Sequence, residues 1–136
     1  MKVKLDEGAF APTRAHKTDA GMDLRAMQSC RIPAHGYRTL RTGVHIQLPQ
    51  CCAGLLVSKS GLNSKCGITS TGLIDAGYSG EIMVTLHNND PWPYLVSMGD
   101  KISQLVLVPI RLEEAEIVDE IEAGERGDNG FGSTGK

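Results

Sequence analysis

The sequence has no excess of basic charge, no long apolar run and no paired-cysteine motif. Its 14 Lys and Arg residues against 16 Asp and Glu residues give a net charge of −2, which argues against stable binding to nucleic acid. No apolar run approaches the ~20 residues of a membrane-spanning helix, so we expect a cytoplasmic protein that does not bind membranes. Cys30, Cys51, Cys52 and Cys66 form no Cys-x-x-Cys pair, and a structural zinc site is therefore poorly supported.

Helical periodicity is also scarce. Alternation of apolar and polar residues, the pattern of a half-buried strand, predominates instead and is clearest over residues 81–88. Residues 102–110 form a nearly continuous apolar run that is typical of a buried strand. Further strands are predicted at 3–5, 39–48, 54–57 and 115–121, and one short helix at 60–65. We therefore predict an all-β domain over residues 1–121, a sandwich, jelly roll or barrel, followed by a C-terminal arm over residues 122–136.

The C-terminal segment, Arg126-Gly-Asp-Asn-Gly-Phe131-Gly-Ser-Thr-Gly-Lys136, combines glycines with cations, one aromatic ring and two hydroxyl groups. Glycines allow backbone N–H groups to approach phosphate oxygens closely, and Ser133 and Thr134 add donors. The composition favours a flexible lid that closes on an anionic, ring-bearing ligand. A disordered polar tail explains it about equally well, because disorder concentrates at termini.

Two further segments carry polar groups in predicted turns. Ser58-Lys-Ser-Gly-Leu-Asn63 offers a cation, a hydroxyl and a glycine at the start of the predicted helix, which suits an anion; an ordinary helix N-cap at Ser60 is the alternative. In Gly72-Leu-Ile-Asp75-Ala-Gly-Tyr78-Ser-Gly80, an Asp beside an apolar wall can act as a general base for water. The alternative for Asp75 is a turn residue that caps its own backbone.

Two other segments add a carboxylate and an amide. Asp19-Ala-Gly-Met-Asp23-Leu places carboxylates next to a glycine in a predicted turn, and carboxylates in separate loops suit Mg²⁺ with phosphates; a solvated loop is the alternative. Gly99-Asp-Lys-Ile-Ser-Gln104 opens the apolar strand, and the buried amide of Gln104 needs a partner, either within the core or on a ligand. Cations, hydroxyls, an amide, carboxylates and two aromatic rings together suit a phosphorylated nucleoside.

Taken in their order and spacing along the chain, from residue 19 to residue 135, these five segments resemble the motifs of the trimeric dUTPase family. The resemblance implies a jelly-roll-like β-barrel, a homotrimer with active sites shared among subunits, and hydrolysis of dUTP to dUMP and pyrophosphate with Mg²⁺. It implies a role in limiting uracil in DNA and in supplying dUMP for dTTP synthesis.

The resemblance also assigns roles to single residues. Asp75 would be the base that deprotonates the attacking water, and Asp23 would support Mg²⁺ through bound waters. Tyr78 would pack on the deoxyribose, and Phe131 would cover the uracil. The chain before Asp75, predicted to form a hairpin at about 68–72, would recognise the uracil edge mainly with backbone groups. The residues that would bind substrate are Lys59, Ser60, Gly61, Thr69, Leu73, Ile74, Tyr78, Gln104, Arg126, Phe131, Gly132, Ser133 and Thr134.

One departure from the family pattern is Lys59, where the family usually has arginine. A lysine is a point charge and cannot make the bidentate contact of a guanidinium group. Two alternatives to a dUTPase stay open on the sequence. A dCTP deaminase shares the fold, although the Asp75 and Tyr78 pair and the C-terminal segment argue against it, and a regulatory module would bind the nucleotide without turning it over.

Overall fold

The computed structural model describes residues 1–122 and residue 124. The C-terminal site candidates, Arg126, Phe131, Gly132, Ser133 and Thr134, lie outside the described residues, as does nearly all of the predicted arm. Within the described residues, no helix is long and apolar enough to cross a membrane.

The described part of the chain is built from strands, with a single short helix. The strands are β1 (Lys2–Leu5), β2 (Gly21–Arg25), β3 (Cys30–Ile32), β4 (Tyr37–Gln47), β5 (Cys52–Val57), β6 (Ile68–Thr69), β7 (Thr71–Ile74), β8 (Glu81–Asn88), β9 (Tyr94–Val96) and β10 (Lys101–Pro109), and the helix is α1 (Ser60–Cys66). The prediction of an all-β fold with one short helix is confirmed.

Two four-stranded antiparallel sheets enclose the core. One has the order β1-β4-β8-β6, the other β2-β10-β5-β7, and β3 and β9 form a small third sheet. On β8, the alternating residues Ile82, Val84 and Leu86 are fully buried while Met83 faces solvent, as the period-two pattern predicts. The fully buried side chains form one continuous apolar cluster that both large sheets share.

Strand β10 lies in the interior of its sheet. It pairs with β2 on one edge and with β5 on the other, so the nearly continuous apolar sequence is explained by neighbours on both sides. The register places Gln104 opposite Asp23 on β2 and opposite Val57 on β5. This row across three strands becomes the base of the candidate site.

Two expectations about local structure, and the alternative interpretation of Ser60 as a helix cap, were wrong. Residues 115–121 form no strand and are exposed in the described chain, because their alternating pattern has no partner strand there. The hairpin predicted at about 68–72 is absent, since β6 pairs with β8 in one sheet and β7 pairs with β5 in the other. The N-cap of α1 is Lys59, without a side-chain cap hydrogen bond, so Ser60 is the first helical residue and does not cap the helix.

Candidate active site

Asp23 lies in the middle of a buried strand. The sequence predicted a turn or a solvated loop for the segment from Asp19, but residues from Gly21 onward form β2 and Asp23 is only 3% exposed. The pairing of β2 with β10 and the bridge between Asp23 and Thr13 fix the backbone on both sides. A buried carboxylate is costly unless charged and hydrogen-bonded partners surround it.

Three side chains surround the Asp23 carboxylate. Lys59 Nζ lies 2.6 Å from Oδ1, Lys101 Nζ lies 2.6 Å from Oδ2, and Gln104 Nε2 donates to Oδ1 at 3.3 Å. We call these four residues the Asp23 cluster. Burial alone would raise the pKa of Asp23, but the hydrogen bonds and positive charges of Lys101 and Lys59 outweigh it and lower the pKa from the ordinary 3.8.

The turn that carries Lys59, between β5 and α1, is hydrogen-bonded to Ser70, which lies between β6 and β7. Ser58 Oγ donates to the carbonyl of Ser70 at 3.0 Å, and Ser70 N donates back to Ser58 Oγ at 2.9 Å. This reciprocal pair holds the chain where it leaves β5, directly before Lys59. Ser60 and Gly61 follow on the exposed first turn of α1, where an added Cβ at Gly61 would meet no atom within 4 Å. The space beside the Gly61 backbone, two residues after Lys59, is therefore open.

The Asp23 cluster does not fit a directly bound metal ion. Both carboxylate oxygens of Asp23 already contact ammonium groups, which repel a cation. Among residues 1–122 and 124, no group of three or more His, Cys, Asp or Glu side chains is arranged to hold a metal. An ion carried by a triphosphate would reach Asp23 only through water and only in competition with the two lysines.

Asp75 and Tyr78 share a second location, the turn between β7 and β8. Asp75 is exposed, and the turn is closed by Tyr78 N donating to the main-chain oxygen of Asp75 at 3.0 Å. Because this bond uses the backbone, the turn does not need the carboxylate as a cap. The two side chains line a cavity of about 230 Å³ together with Leu73, Ile74, Glu81 and Met83.

Of the predicted substrate-binding residues Thr69, Leu73 and Ile74, two line this cavity, and no residue of the segment 68–72 that was expected to recognise uracil does so. Leu73 is exposed at its edge, whereas the side chain of Ile74 points into the core, so Ile74 offers mainly its backbone. Thr69 lies on β6 in the other sheet, where its hydroxyl accepts a hydrogen bond from Asn89 Nδ2 at 3.2 Å. Thr69 does not line the cavity around Asp75.

The two locations are far apart within one chain. Asp23, Gln104, Val57 and Thr71 occupy one row across the sheet, and Asp75 follows β7 four residues beyond that row. Three strand spacings across the sheet and four residues along it separate Asp23 from Asp75 by about 20 Å. Asp75 therefore lies well away from the Asp23 cluster along the backbone of a single chain.

Comparison with known proteins gives the family. The sequence model of dUTPase matches residues 7–135. The chain belongs to the dUTPase family. It is 44% identical over 139 residues to the deoxyuridine 5'-triphosphate nucleotidohydrolase of Corynebacterium glutamicum, covering 98% of this chain and 93% of that protein. The corresponding protein of Mycobacterium marinum is 42% identical over 142 residues, covering 98% and 92%.

Solved dUTPase structures have the same fold as this family member. The dUTPase of Staphylococcus bacteriophage 80alpha, solved with dUpNHpp, matches with a TM-score of 0.93 at 33% identity, covering 99% of this chain and 98% of that one. A mutant dUTPase from phage phi11 of S. aureus, for which coordination of a structural Mg(II) ion is described, matches with a TM-score of 0.83 at 32% identity, covering 89% and 97%.

Two residues of this dUTPase family member were missed by sequence reasoning. The sequence assigns no role to Lys101, although it binds Asp23 as closely as Lys59 does. Glu81 lines the cavity, and its main-chain oxygen accepts the Tyr78 hydroxyl at 2.8 Å. The sequence does place Lys101 at the start of the strand that carries Gln104. Its contact with Asp23, however, could be inferred only from the register of β2 against β10.

Proposed function

We propose that this chain is a dUTP diphosphatase that hydrolyses dUTP to dUMP and pyrophosphate with Asp75 as the general base. The observation that carries the proposal is the exposed Asp75 carboxylate beside Tyr78 in a cavity of about 230 Å³, in a chain of the dUTPase family. The bound dUpNHpp in the phage 80alpha dUTPase supports dUTP as the ligand.

In the proposed step, Asp75 accepts a proton from water while the water oxygen attacks the α-phosphorus of dUTP. The bond between the α-phosphorus and the bridging oxygen breaks, and pyrophosphate leaves with the electron pair. Fixed positioning of water and phosphate lowers the entropic part of the barrier. Tyr78 packs against the deoxyribose, and the backbone near Leu73 and Ile74 binds the uracil edge.

The Asp23 cluster supplies the phosphate-binding groups in this proposal. Asp23 holds the Lys59 ammonium and the Gln104 amide side by side, and both retain N–H donors that Asp23 does not use. Donors fixed before the substrate arrives stabilise the charge that develops on phosphate without reorganising during the reaction. Ser60 and Gly61 add donors from the first turn of α1, and Arg126, Gly132, Ser133 and Thr134 complete the predicted set.

We infer that the active site is shared between subunits of a homotrimer. The separation of about 20 Å between Asp23 and Asp75 argues against a site built from one chain. If the Asp75 side of one subunit faces the Asp23 cluster of another, both contact one nucleotide. Closed cyclic symmetry would then repeat the same interface and the same site around the axis.

The chain after β10 supports assembly. Leu112, Ile117, Val118 and Ile121 are more than half exposed, and residues 111–122 have no strand partner among the described residues. Exposed apolar side chains on an unpaired segment are typical of an interface that covers them. Pairing of this segment with a neighbouring subunit would also explain the strand-like pattern of residues 115–121.

Mg²⁺ dependence and the physiological role stay predictions. The described residues offer no cage for the ion, so the expected ion would arrive bound to the triphosphate, whose charge it neutralises. A dUTP diphosphatase would limit the incorporation of uracil into DNA and would supply dUMP for dTTP synthesis. Removal of divalent ions with EDTA during the assay tests the first of these two points.

The experiment that tests the proposal measures pyrophosphate release from dUTP, UTP, dTTP and dCTP. Selective turnover of dUTP is expected, and Asp75→Asn should abolish turnover while dUTP affinity stays close to that of the native protein. Glu7→Gln, which removes an exposed carboxylate outside the site, is the matched control. Full activity of Asp75→Asn would show that another group activates the water.

The same assay separates the alternatives. Ammonia released from dCTP would indicate the deaminase, and tight dUTP binding without turnover would indicate a regulatory module. Phage dUTPases similar to this chain are described as controlling the transfer of virulence genes by a proto-oncogenic G protein-like mechanism, so a regulatory role has a precedent among them.

Complementation tests the shared site. Asp75→Asn and the double variant Lys59→Ala/Gln104→Leu should each be inactive alone, because they remove different halves of the site. Unfolding and refolding equal amounts together should restore about a quarter of native activity, since random mixing pairs two intact halves at that frequency. No recovery in mixed oligomers would show that each site belongs to one chain.

A further inference from the structure

Two hydrogen bonds fix Tyr78 within the turn between β7 and β8, one made by its backbone and one by its hydroxyl group. Its backbone N–H donates to the Asp75 carbonyl at 3.0 Å, and its hydroxyl donates to the Glu81 carbonyl at 2.8 Å. The side chain therefore folds back across the turn and lies over Gly80. Tyr78 is nevertheless 44% exposed, so no packed core holds the ring in this position.

The residue that accepts the Tyr78 hydroxyl is itself fixed. Glu81 Oε1 accepts the backbone N–H of Gly43 at 2.7 Å, and Glu81 Oε2 accepts Arg41 Nε at 2.9 Å. Arg41 Nη2 in turn contacts Asp6 at 2.9 Å. These bonds anchor the start of β8 to β4 and to the residue after β1, so the carbonyl that orients Tyr78 has a defined place.

Gly80 leaves room for the ring where any other residue would not. A Cβ built on Gly80 would lie 2.4 Å from Tyr78 Oη, 2.5 Å from Cζ and 2.9 Å from Cε2. All three distances are far below van der Waals contact. Gly77, three residues earlier in the same turn, would meet no atom within 4 Å, and neither glycine has a positive φ.

We propose that Gly80 is a positioning residue that sets the sugar selectivity of the site by fixing the Tyr78 ring. This inference rests on the proposed function, in which Tyr78 packs on the deoxyribose and leaves no space for a 2′-hydroxyl. Gly80 acts through Tyr78 and touches no substrate. The backbone conformation at position 80 is open to alanine, because its φ is not positive. A methyl group there would therefore strain no backbone and would displace only the end of the exposed Tyr78 side chain.

The experiment compares Gly80→Ala with Gly77→Ala, which makes the same chemical change in the same turn. The ratio of kcat/KM for dUTP to that for UTP should fall about tenfold or more in Gly80→Ala and stay native in Gly77→Ala, since contacts to one small group discriminate substrates by at least that factor. The thermal unfolding midpoints of both variants should stay within a few degrees of the native one.

A double variant tests whether Gly80 acts through the ring. In a Tyr78→Ala background, Gly80→Ala should cause no further loss of selectivity, because the group that it displaces is absent. Native selectivity in Gly80→Ala, or an equal loss with and without the Tyr78 ring, would overturn the inference while leaving the proposed function intact. Failure of the native protein to hydrolyse dUTP would overturn both.

Discussion

Replacing Asp23 with asparagine should destabilise the protein by leaving two ammonium groups without a counter-charge. Removing one partner of a fully buried ion pair costs about 3–5 kcal/mol. The side chains of Lys59 and Lys101 are 23% and 35% exposed, so both ammonium groups can regain some water. We therefore expect Asp23→Asn to lower the free energy of unfolding by about 2–3 kcal/mol, at or below the lower limit for a fully buried pair.

The lysines determine the sign of this effect. In a Lys59→Met/Lys101→Met background, Asp23 would itself be the unpaired buried charge. Asp23→Asn should then be neutral or stabilising, because the amide is cheaper to bury than an uncompensated carboxylate. Reversal of sign between the two backgrounds distinguishes an ion cluster from a simple loss of packing.

The pH dependence follows from the lowered pKa of Asp23. A carboxyl group with a lower pKa in the folded state contributes stability above its unfolded value, near 3.8, and loses it as the pH falls through the folded value. The difference in stability between the native protein and Asp23→Asn should therefore be constant above about pH 5 and shrink below pH 3.8.

Urea unfolding at a fixed protein concentration, with EDTA present, measures these differences. With a slope near 2 kcal/mol/M, a loss of 2–3 kcal/mol moves the midpoint by about 1–1.5 M. Glu7→Gln, at an exposed carboxylate, is the control and should leave the midpoint unchanged. An unchanged midpoint in Asp23→Asn at neutral pH, or a difference that grows as the pH falls, would refute the reasoning.

Three core substitutions test other buried contacts by the same urea assay. Thr42→Val should cost about 1–3 kcal/mol, because the fully buried Thr42 hydroxyl donates to the Ile82 carbonyl at 2.6 Å; a loss below 0.5 kcal/mol would contradict this. Ser103→Ala should cost about 1–2 kcal/mol, since it leaves the hydroxyl of Ser70 without its partner at 2.9 Å, and adding Ser70→Ala should recover part of the loss. Gly54→Ala should cost about 1–3 kcal/mol, because the new Cβ would lie 2.9 Å from a methyl group of β10 and 3.1 Å from a Cβ of β7.

The long strands were predictable because their patterns are local. The alternation over residues 81–88 and the apolar run over 102–110 correspond to β8 and β10 within one residue at each end. The short strands β2, β6 and β9 were missed because segments of two to five residues show little periodicity, although the four-residue β1 was predicted. Residues 115–121 show the opposite case, in which a strand pattern without a partner strand in the described chain gives no strand.

The candidate site was predictable only in part, for the same reason. Asp75 and Tyr78 are three residues apart, and their proximity in one turn follows from the sequence. The contacts of Asp23 with Lys59, Lys101 and Gln104 join residues 36 or more positions apart and depend on the register of β2, β10 and β5. The resemblance grouped three of these residues by motif, but only the structure shows that a buried carboxylate holds them together.

The geometry of the Asp23 cluster explains how Lys59 can neutralise a buried carboxylate and still offer donors to an anion. An ammonium group has three N–H donors, and the contact with Asp23 Oδ1 at 2.6 Å uses one of them. The remaining donors can face a phosphate oxygen beside the open first turn of α1, so neutralising Asp23 and binding an anion do not exclude each other. Lys101 neutralises the second oxygen of Asp23 independently. Lys59 would therefore not have to leave Asp23 in order to donate to an anion, and the buried carboxylate would keep both of its counter-charges.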